Sequence, residues 1–340
     1  MDDHKISRSL TIGGIEVAGR VWLAPMTGVT DLPFRQIATG LGAAYVATEM
    51  VACELFAAAR PDVVRRAAVG EGLPLMVVQL VGADPDSIAK GARLAATAGA
   101  QIIDLNFGCP AKTVTGVASG SALMRDLDHA ERLIAAAVNA VDAPVTVKMR
   151  LGWDEASRNA PELAARAQSA GAKAVTVHGR TRYAFYAGGA DWKAVREVKA
   201  AVGIPVLVNG DIVDASAVRQ ALSQSGADAV MIGRGAIGQP WIAACLQAAL
   251  EGWPSLEPGP EARAGIVLKH LGDSVSFYGV RLGLRMFRKH LAAYIDHAPW
   301  PASSEARRAA RGMLCRLETP GEIAHALCDL WLTDEHRLAA

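Results

Sequence analysis

Seven places in the chain put polar or reactive side chains at the end of a short apolar run. They are Ala24-Pro25-Met26-Thr27, Gln79, Asn106 with Gly108-Cys109-Pro110, Lys148, His178, Asn209-Gly210-Asp211 and Gly233-Arg234-Gly235. A buried polar group costs free energy unless it is satisfied. One such residue is noise, whereas this many points to a shared polar ligand. Lys148 ends Val145-Thr146-Val147-Lys148-Met149, where it either enters an enclosed mouth or snorkels to the surface. Fixed in a dry pocket, it can balance negative charge on a bound ligand. Gln79, Asn106 and His178 can donate to or accept from ring carbonyls and nitrogens, although a lone histidine is as often a satisfied core residue. Cys109 sits between glycine and proline. An ordinary thiol titrates near about 8.5 and is mostly protonated at neutral pH, so it can give up a proton. The plain alternative is a small inert hydrophobe, the default for Cys53, Cys245 and Cys315.

Residues so placed need a scaffold. Apolar, β-branched runs occur at 21–26, 45–49, 75–80, 102–107, 145–149, 174–178, 206–209 and 229–232. Helical patterns fill the intervals, at 85–98 behind Asp84, at 128–140 and at 160–170. One βα unit takes roughly 30 residues, so eight units account for the first 240 or so. This predicts an α/β fold, a closed (β/α)8 TIM barrel followed by a small all-α helical domain. An open doubly wound sheet would show GxGxxG after the first run, and none is present. The barrel is expected over 1–252. A Gly/Pro/Ser-rich link spans 252–260, and about four helices follow over 261–340, with breaks near 299–304 and 319–321.

In such barrels chemistry gathers at the C-terminal strand ends, and the loops after strands seven and eight often hold phosphate. Asn209-Gly210-Asp211 and Gly233-Arg234-Gly235 fall there. Either motif alone reads as a tight turn; together they read as an anion site. In the helical part Arg281, Arg285 and Arg288 share one helix face and Lys289 adjoins them. Over 281–316 eight basic residues stand against Asp296 and Glu305, while the whole 340-residue chain has a net charge of +1. This is a local patch suited to an anionic polymer, or else a solvated helix face. The overall balance excludes a protein held on nucleic acid by bulk charge, and 51% hydrophobic residues exclude general disorder. Five scattered cysteines without a CxxC pair argue against a disulfide scaffold or zinc knuckle, and no metal is expected. With no apolar leader in the first ten residues and no uncharged run of membrane length, a cytoplasmic location is expected.

These segments in order resemble the tRNA-dihydrouridine synthase family, in particular its bacterial B-type branch. The resemblance rests on Ala24-Pro25-Met26-Thr27-Gly28-Val29-Thr30-Asp31, the 106–112 stretch ending Gly-Cys-Pro-Ala-Lys, Gly120-Ser121-Ala122-Leu123, His178-Gly179-Arg180-Thr181-Arg182, Asn209-Gly210-Asp211-Ile212 and Arg288-Lys289-His290. It implies an FMN-bound barrel and a helical domain that grips tRNA. Pro25, Met26, Thr27, Gln79, Asn106, Lys148, His178, Asn209, Gly210, Asp211, Gly233 and Arg234 would bind FMN. Cys109 would be the catalytic acid, and Arg285, Arg288, Lys289 and His290 would meet tRNA. NADPH or NADH would be the reductant, and a D-loop uridine would receive hydride at C6 and the proton of Cys109 at C5. A monomer needing no protein partner and no membrane is expected. The chain departs from the pattern at Thr113-Val114-Thr115-Gly116-Val117, where further basic residues are common, and at Tyr183-Ala184, in place of a Cys-Gln-like pair. Two other readings remain open at this level. An FMN barrel reducing a small molecule would be indifferent to tRNA, and a non-catalytic RNA-binding barrel would carry no flavin.

Overall fold

The computed structural model describes residues 9–70, 72–254, 256–298 and 303–332, with side chains to Asp329. Ten strands are present among them: β1 (Ser9–Ile12), β2 (Ile15–Ala18), β3 (Val21–Leu23), β4 (Val51–Ala52), β5 (Val77–Val81), β6 (Ile102–Phe107), β7 (Val145–Arg150), β8 (Ala174–His178), β9 (Val206–Asn209) and β10 (Ala229–Ile232). β3 to β10 form one sheet in the order β3-β10-β9-β8-β7-β6-β5-β4, with every neighbouring pair parallel. The segment 45–48 closes the ring. Val46 bridges Leu23 and Ala47 bridges Val77, while Leu23 N donates to Tyr45 O and Thr48 N donates to Val77 O, each at 3.0 Å. The expected (β/α)8 barrel is therefore observed. The second run, anticipated at 45–49, makes only these isolated bridges, because it must serve two neighbours that curve apart, and the regular strand β4 follows it at Val51–Ala52. The strand of the first run ends at Leu23 rather than at Met26, although Ala24 N still donates to Ile232 O at 2.7 Å.

Side chains alternate between two faces along each strand. Ile103, Leu105 and Phe107 of β6 join the outer core under the helices. Ile102 joins the inner cluster with Trp22, Ala47, Val77, Ala174, Leu207 and Met231. Trp22 and Tyr45 stack there at 4.8 Å. The β1–β2 hairpin, which periodicity alone did not reveal, inserts Ile12 and Val17 into this same cluster and plugs the N-terminal end of the barrel. The polar inner positions are thereby left for the opposite end.

The helices start where short acceptors cap them. Asp84 accepts from Ser87 N ahead of the helix Pro85–Thr97, Asp126 from His129 N ahead of Leu127–Val138, and Asp214 from Ala217 N ahead of Ala215–Ser225. After the helix Ile242–Glu251 the chain turns at Gly252, and four helices follow: Pro260–Tyr278, Val280–Asp296, Ser304–Leu314 and Pro320–Leu332. They have their own core, in which Val267, Leu271, Leu284, Phe287, Leu291, Ile323 and Leu327 meet Trp241 from the barrel side. Residues 299–302 of the expected break, 333–340 of the last helical stretch and 1–8 of the N-terminus lie outside the described residues. No helix among the described residues is long and apolar enough to cross a membrane.

Candidate active site

A cavity of about 870 Å³ opens at the C-terminal ends of the strands. Its size suits a small-molecule or cofactor site, for which about 300–1,000 Å³ is usual. Cys109 lines it. So do Pro25, Met26, Thr27, Gln79, Asn106, Lys148, His178, Asn209, Gly210, Asp211, Gly233 and Arg234. Strand register brings them together: Asn106 pairs with Lys148, Arg150 with His178, and His178 with Asn209.

The floor is held by Asp104, a residue that sequence reasoning missed. It is 4% exposed and accepts from Gln79 Nε2 at 2.7 Å and Thr146 Oγ1 at 2.6 Å. Burial raises its pKa to about 6, although Thr146, Gln79 and Lys148 pull the other way. Gln79 Oε1 in turn accepts from Asn106 Nδ2 at 2.8 Å, and Asn106 Oδ1 accepts from Cys109 N at 2.9 Å and Gly108 N at 3.2 Å. A buried carboxylate thus orients two carboxamides, and the second sets the loop of the reactive thiol. On the far side Ser121 donates twice to Cys109 O, from N at 3.0 Å and from Oγ at 2.9 Å. The signal for Asp104 was present in the period of two, because 102, 104 and 106 share the inward face.

Lys148 Nζ donates to Asn209 Oδ1 at 3.1 Å. Burial first, then the charge of Arg150, lower its pKa to about 8. Arg150, also missed, spans the site: its Nε donates to Gly108 O at 2.8 Å and its Nη1 to Thr181 O and Phe185 O, each at 2.9 Å. His178 Nε2 lies 3.3 Å from Arg180 Nη1. A guanidinium can only donate, so Nε2 accepts and the ring proton sits on Nδ1. Burial and the surrounding Lys148, Arg150, Arg180 and Arg234 charges hold His178 far below its usual range, so the ring is neutral.

The anion end lies between β9 and β10. The turn Arg234–Ala236 opens at Gly233, whose carbonyl accepts from Ala236 N at 2.9 Å, and the Arg234 guanidinium sits 4.6 Å over the Tyr186 ring. Gly210 has φ +116°, and a Cβ there would stand 2.8 Å from both Ala190 Cβ and His178 Cδ2. Gly210→Ala is therefore expected to cost about 1–3 kcal/mol and to push His178 aside. Thermal unfolding checks this; an unchanged melting temperature would show that the turn has room.

The basic helix Val280–Asp296 divides its predicted residues differently. Arg281 and Arg285 are exposed. Lys289 reaches the cavity rim, where its Nζ donates to Gly28 O at 3.0 Å. Arg288 is half-buried, with Nη2 on Leu317 O at 3.3 Å. His290, expected to face tRNA, points inward instead. It is 2% exposed and stacks on Phe34 at 5.5 Å, because position 290 falls on the apolar stripe with Phe287 and Tyr294. Near the mouth Phe185 and Tyr186 are 47% and 44% exposed, and Tyr183, at the departure noted above, is 77% exposed.

Comparison with known proteins bears on this arrangement. The chain is 50% identical over 305 residues to a probable tRNA-dihydrouridine synthase of Rhodobacter capsulatus, covering 88% of this chain and 94% of the relative. It is 42% identical over 295 residues to tRNA-dihydrouridine synthase B of Yersinia pestis, covering 85% and 91%. Among solved structures, a 2-naphthoyl-CoA reductase superposes with a TM-score of 0.58 at 10% identity, covering 73% of this chain and 52% of that one. The 6-hydroxypseudooxynicotine amine oxidase of Pseudomonas geniculata superposes at 0.57 and 12%, covering 73% and 50%. At such identities these two show the shared barrel alone. The dihydrouridine synthase (Dus) family matches residues 22–324, which takes in the barrel, its cavity and most of the C-terminal helices, and the chain belongs to that family.

Proposed function

We propose that this chain reduces a D-loop uridine of tRNA to 5,6-dihydrouridine, with FMN in the barrel mouth and NADPH or NADH as reductant. The observation that carries this reading is the single cavity that holds the Cys109 thiol, the Lys148 ammonium and an anion end, rimmed by exposed aromatic rings. The donor set fits FMN. Gln79 and Asn106 offer carboxamides to a polar ring edge, Lys148 offers a cation, and the Arg234–Ala236 turn with Arg234 offers a phosphate cradle beside Gly210. Bound there, FMN would supply hydride for C6 of the base.

The chain's own residues supply the rest. Cys109 delivers its proton to C5 as negative charge develops across C5 and O4. Asn106 and Ser121 hold the thiol's loop in place. Lys148 provides positive charge where the ring gathers electron density. Phe185 and Tyr186 give a base withdrawn from the RNA stack a surface to lie against. The barrel over 1–252 is the flavin unit, and the helices over 261–340 grip tRNA through Arg285, Arg288 and Lys289. The enzyme works as a cytoplasmic monomer.

Two measurements test the reading. Purified protein should be yellow and release FMN, and tRNA from cells lacking it should lose one dihydrouridine that returns on complementation. Protein that is colourless and refuses added FMN would end the proposal. Full activity on free uridine without tRNA would move it to a small-molecule reductase. Reversal at Arg281 and Arg285 together should weaken tRNA binding at least about tenfold and reduce the salt slope by about one per lost phosphate contact, with flavin content unchanged. Titration at several salt concentrations checks this, and an unaltered slope removes the helix face from the interface.

A further inference from the structure

Apart from the cavity, one cluster of ligating side chains is closed off from solvent where the barrel meets the C-terminal helices. Asp31, His270 and His290 are 3%, 0% and 2% exposed, and one ligand atom from each lies within 4.8 Å of the other two. None of the three lines the barrel cavity. His270 Nε2 and both ring nitrogens of His290 are buried without a hydrogen-bond partner among the described residues. Buried polar atoms are rarely left so, because each orphan costs about 1–3 kcal/mol. We propose that Asp31, His270 and His290 form a structural site for a divalent transition-metal ion, zinc(II) by ligand chemistry, pinning the first βα loop to the helices.

The surrounding contacts prepare these groups as ligands. Tyr294 Oη lies 3.0 Å from His270 Nδ1. With the ring proton on Nδ1, shared with the tyrosine oxygen, the unpartnered Nε2 keeps its lone pair for a metal, the arrangement that orients metal-bound imidazoles elsewhere. Asp31 accepts from Phe34 N at 3.1 Å through Oδ1 and from Tyr278 Oη at 3.1 Å through Oδ2, which leaves carboxylate lone pairs unused. Two imidazoles and a carboxylate without thiolate suit zinc, with an enclosed water as the fourth ligand. Tetrahedral zinc sets its ligand atoms about 3.4 Å apart, so the side chains close inward on the ion. Asp31 caps the helix Leu32–Gly40 and follows the cavity-lining residues 24–27 and Val29, while His270 and His290 come from the helices Pro260–Tyr278 and Val280–Asp296. A metal here would tie the catalytic loop to the RNA-gripping helices without touching the reaction.

The test uses the full chain, purified with its flavin and then treated with chelator. Cobalt(II) is titrated in, and visible d–d absorption is read as a difference spectrum beyond the flavin bands. The expected result is about one equivalent bound with the intense bands of a four-coordinate site, displaced by zinc, and zinc raising the melting temperature. His270→Gln and His290→Gln should each weaken cobalt binding at least about 100-fold, whereas His325→Gln, at an 82% exposed side chain, should not. The wild-type titration decides even where a variant fails to fold. Folded wild-type chain that shows no d–d bands, and melts alike with zinc and with chelator, overturns the proposal and leaves a buried water bridging the three groups. Cobalt binding undiminished in a folded His290→Gln variant overturns it as well.

Discussion

Cys109→Ala should lower the single-turnover rate of dihydrouridine formation by about 10²–10⁴-fold, the usual worth of a positioned general acid, while NADPH still reduces the flavin at the wild-type rate. The structure explains why this separation should be clean. The bonds that hold the loop are made by backbone: Cys109 N to Asn106 Oδ1, and Cys109 O to Ser121. Truncating the CH2–SH side chain to a methyl group removes none of them, so melting temperature and flavin content should stay as they were. Rapid-quench assays with prereduced enzyme and tRNA read the rate, and stopped-flow absorbance reads flavin reduction. Wild-type turnover in the variant would remove Cys109 from the chemistry.

Lys148→Met should lower turnover by about 10²–10³-fold, as loss of a fixed charge-stabilising donor does elsewhere. It also carries a pH signature. The wild-type ammonium titrates near about 8, so the cation is present below that pH and lost above it. Activity of the wild type should fall on the alkaline side of about 8, and the variant should lack that limb. Stability moves the opposite way. The folded-state pKa lies below the ordinary 10.5, so the unfolded chain binds more protons between about 8 and 10.5, and stability rises with pH there. The destabilisation is complete below about 8, and Lys148→Met removes it by placing an uncharged apolar chain of similar length at this half-buried position. Denaturant unfolding of both proteins from pH 7 to 10 checks this. A gap between them that does not close with rising pH would contradict a lowered pKa at Lys148.

Much of the site could be read along the chain because barrel geometry is written in short-range patterns. A period of two sends Gln79, Asn106, Lys148, His178 and Asn209 inward, and βα spacing puts each at a strand's C-terminal end. Glycine at 210 and at 233 marks the loops where backbone must come close. What lay beyond reach is long-range pairing. The segment 45–48 looks like an ordinary strand until the curvature of the barrel makes it bridge two diverging neighbours. Asp104 looks like a lone charge in an apolar run until Gln79 and Thr146 arrive from strands on either side.

The amino-acid order by itself determined the barrel, its sequence of units, and the identity of the thiol, the lysine and the glycine turns, since local periodicity and backbone conformational freedom decide these. Only the tertiary structure decided which charges face solvent and which partners share a burial site. His290 stands beside two exposed-looking basic residues in the chain, yet it turns into the core against His270 of the preceding helix and Phe34 of the first barrel helix, far away in sequence. Burial belongs to the packed assembly of helices, and no single helix carries enough of its surroundings to specify it.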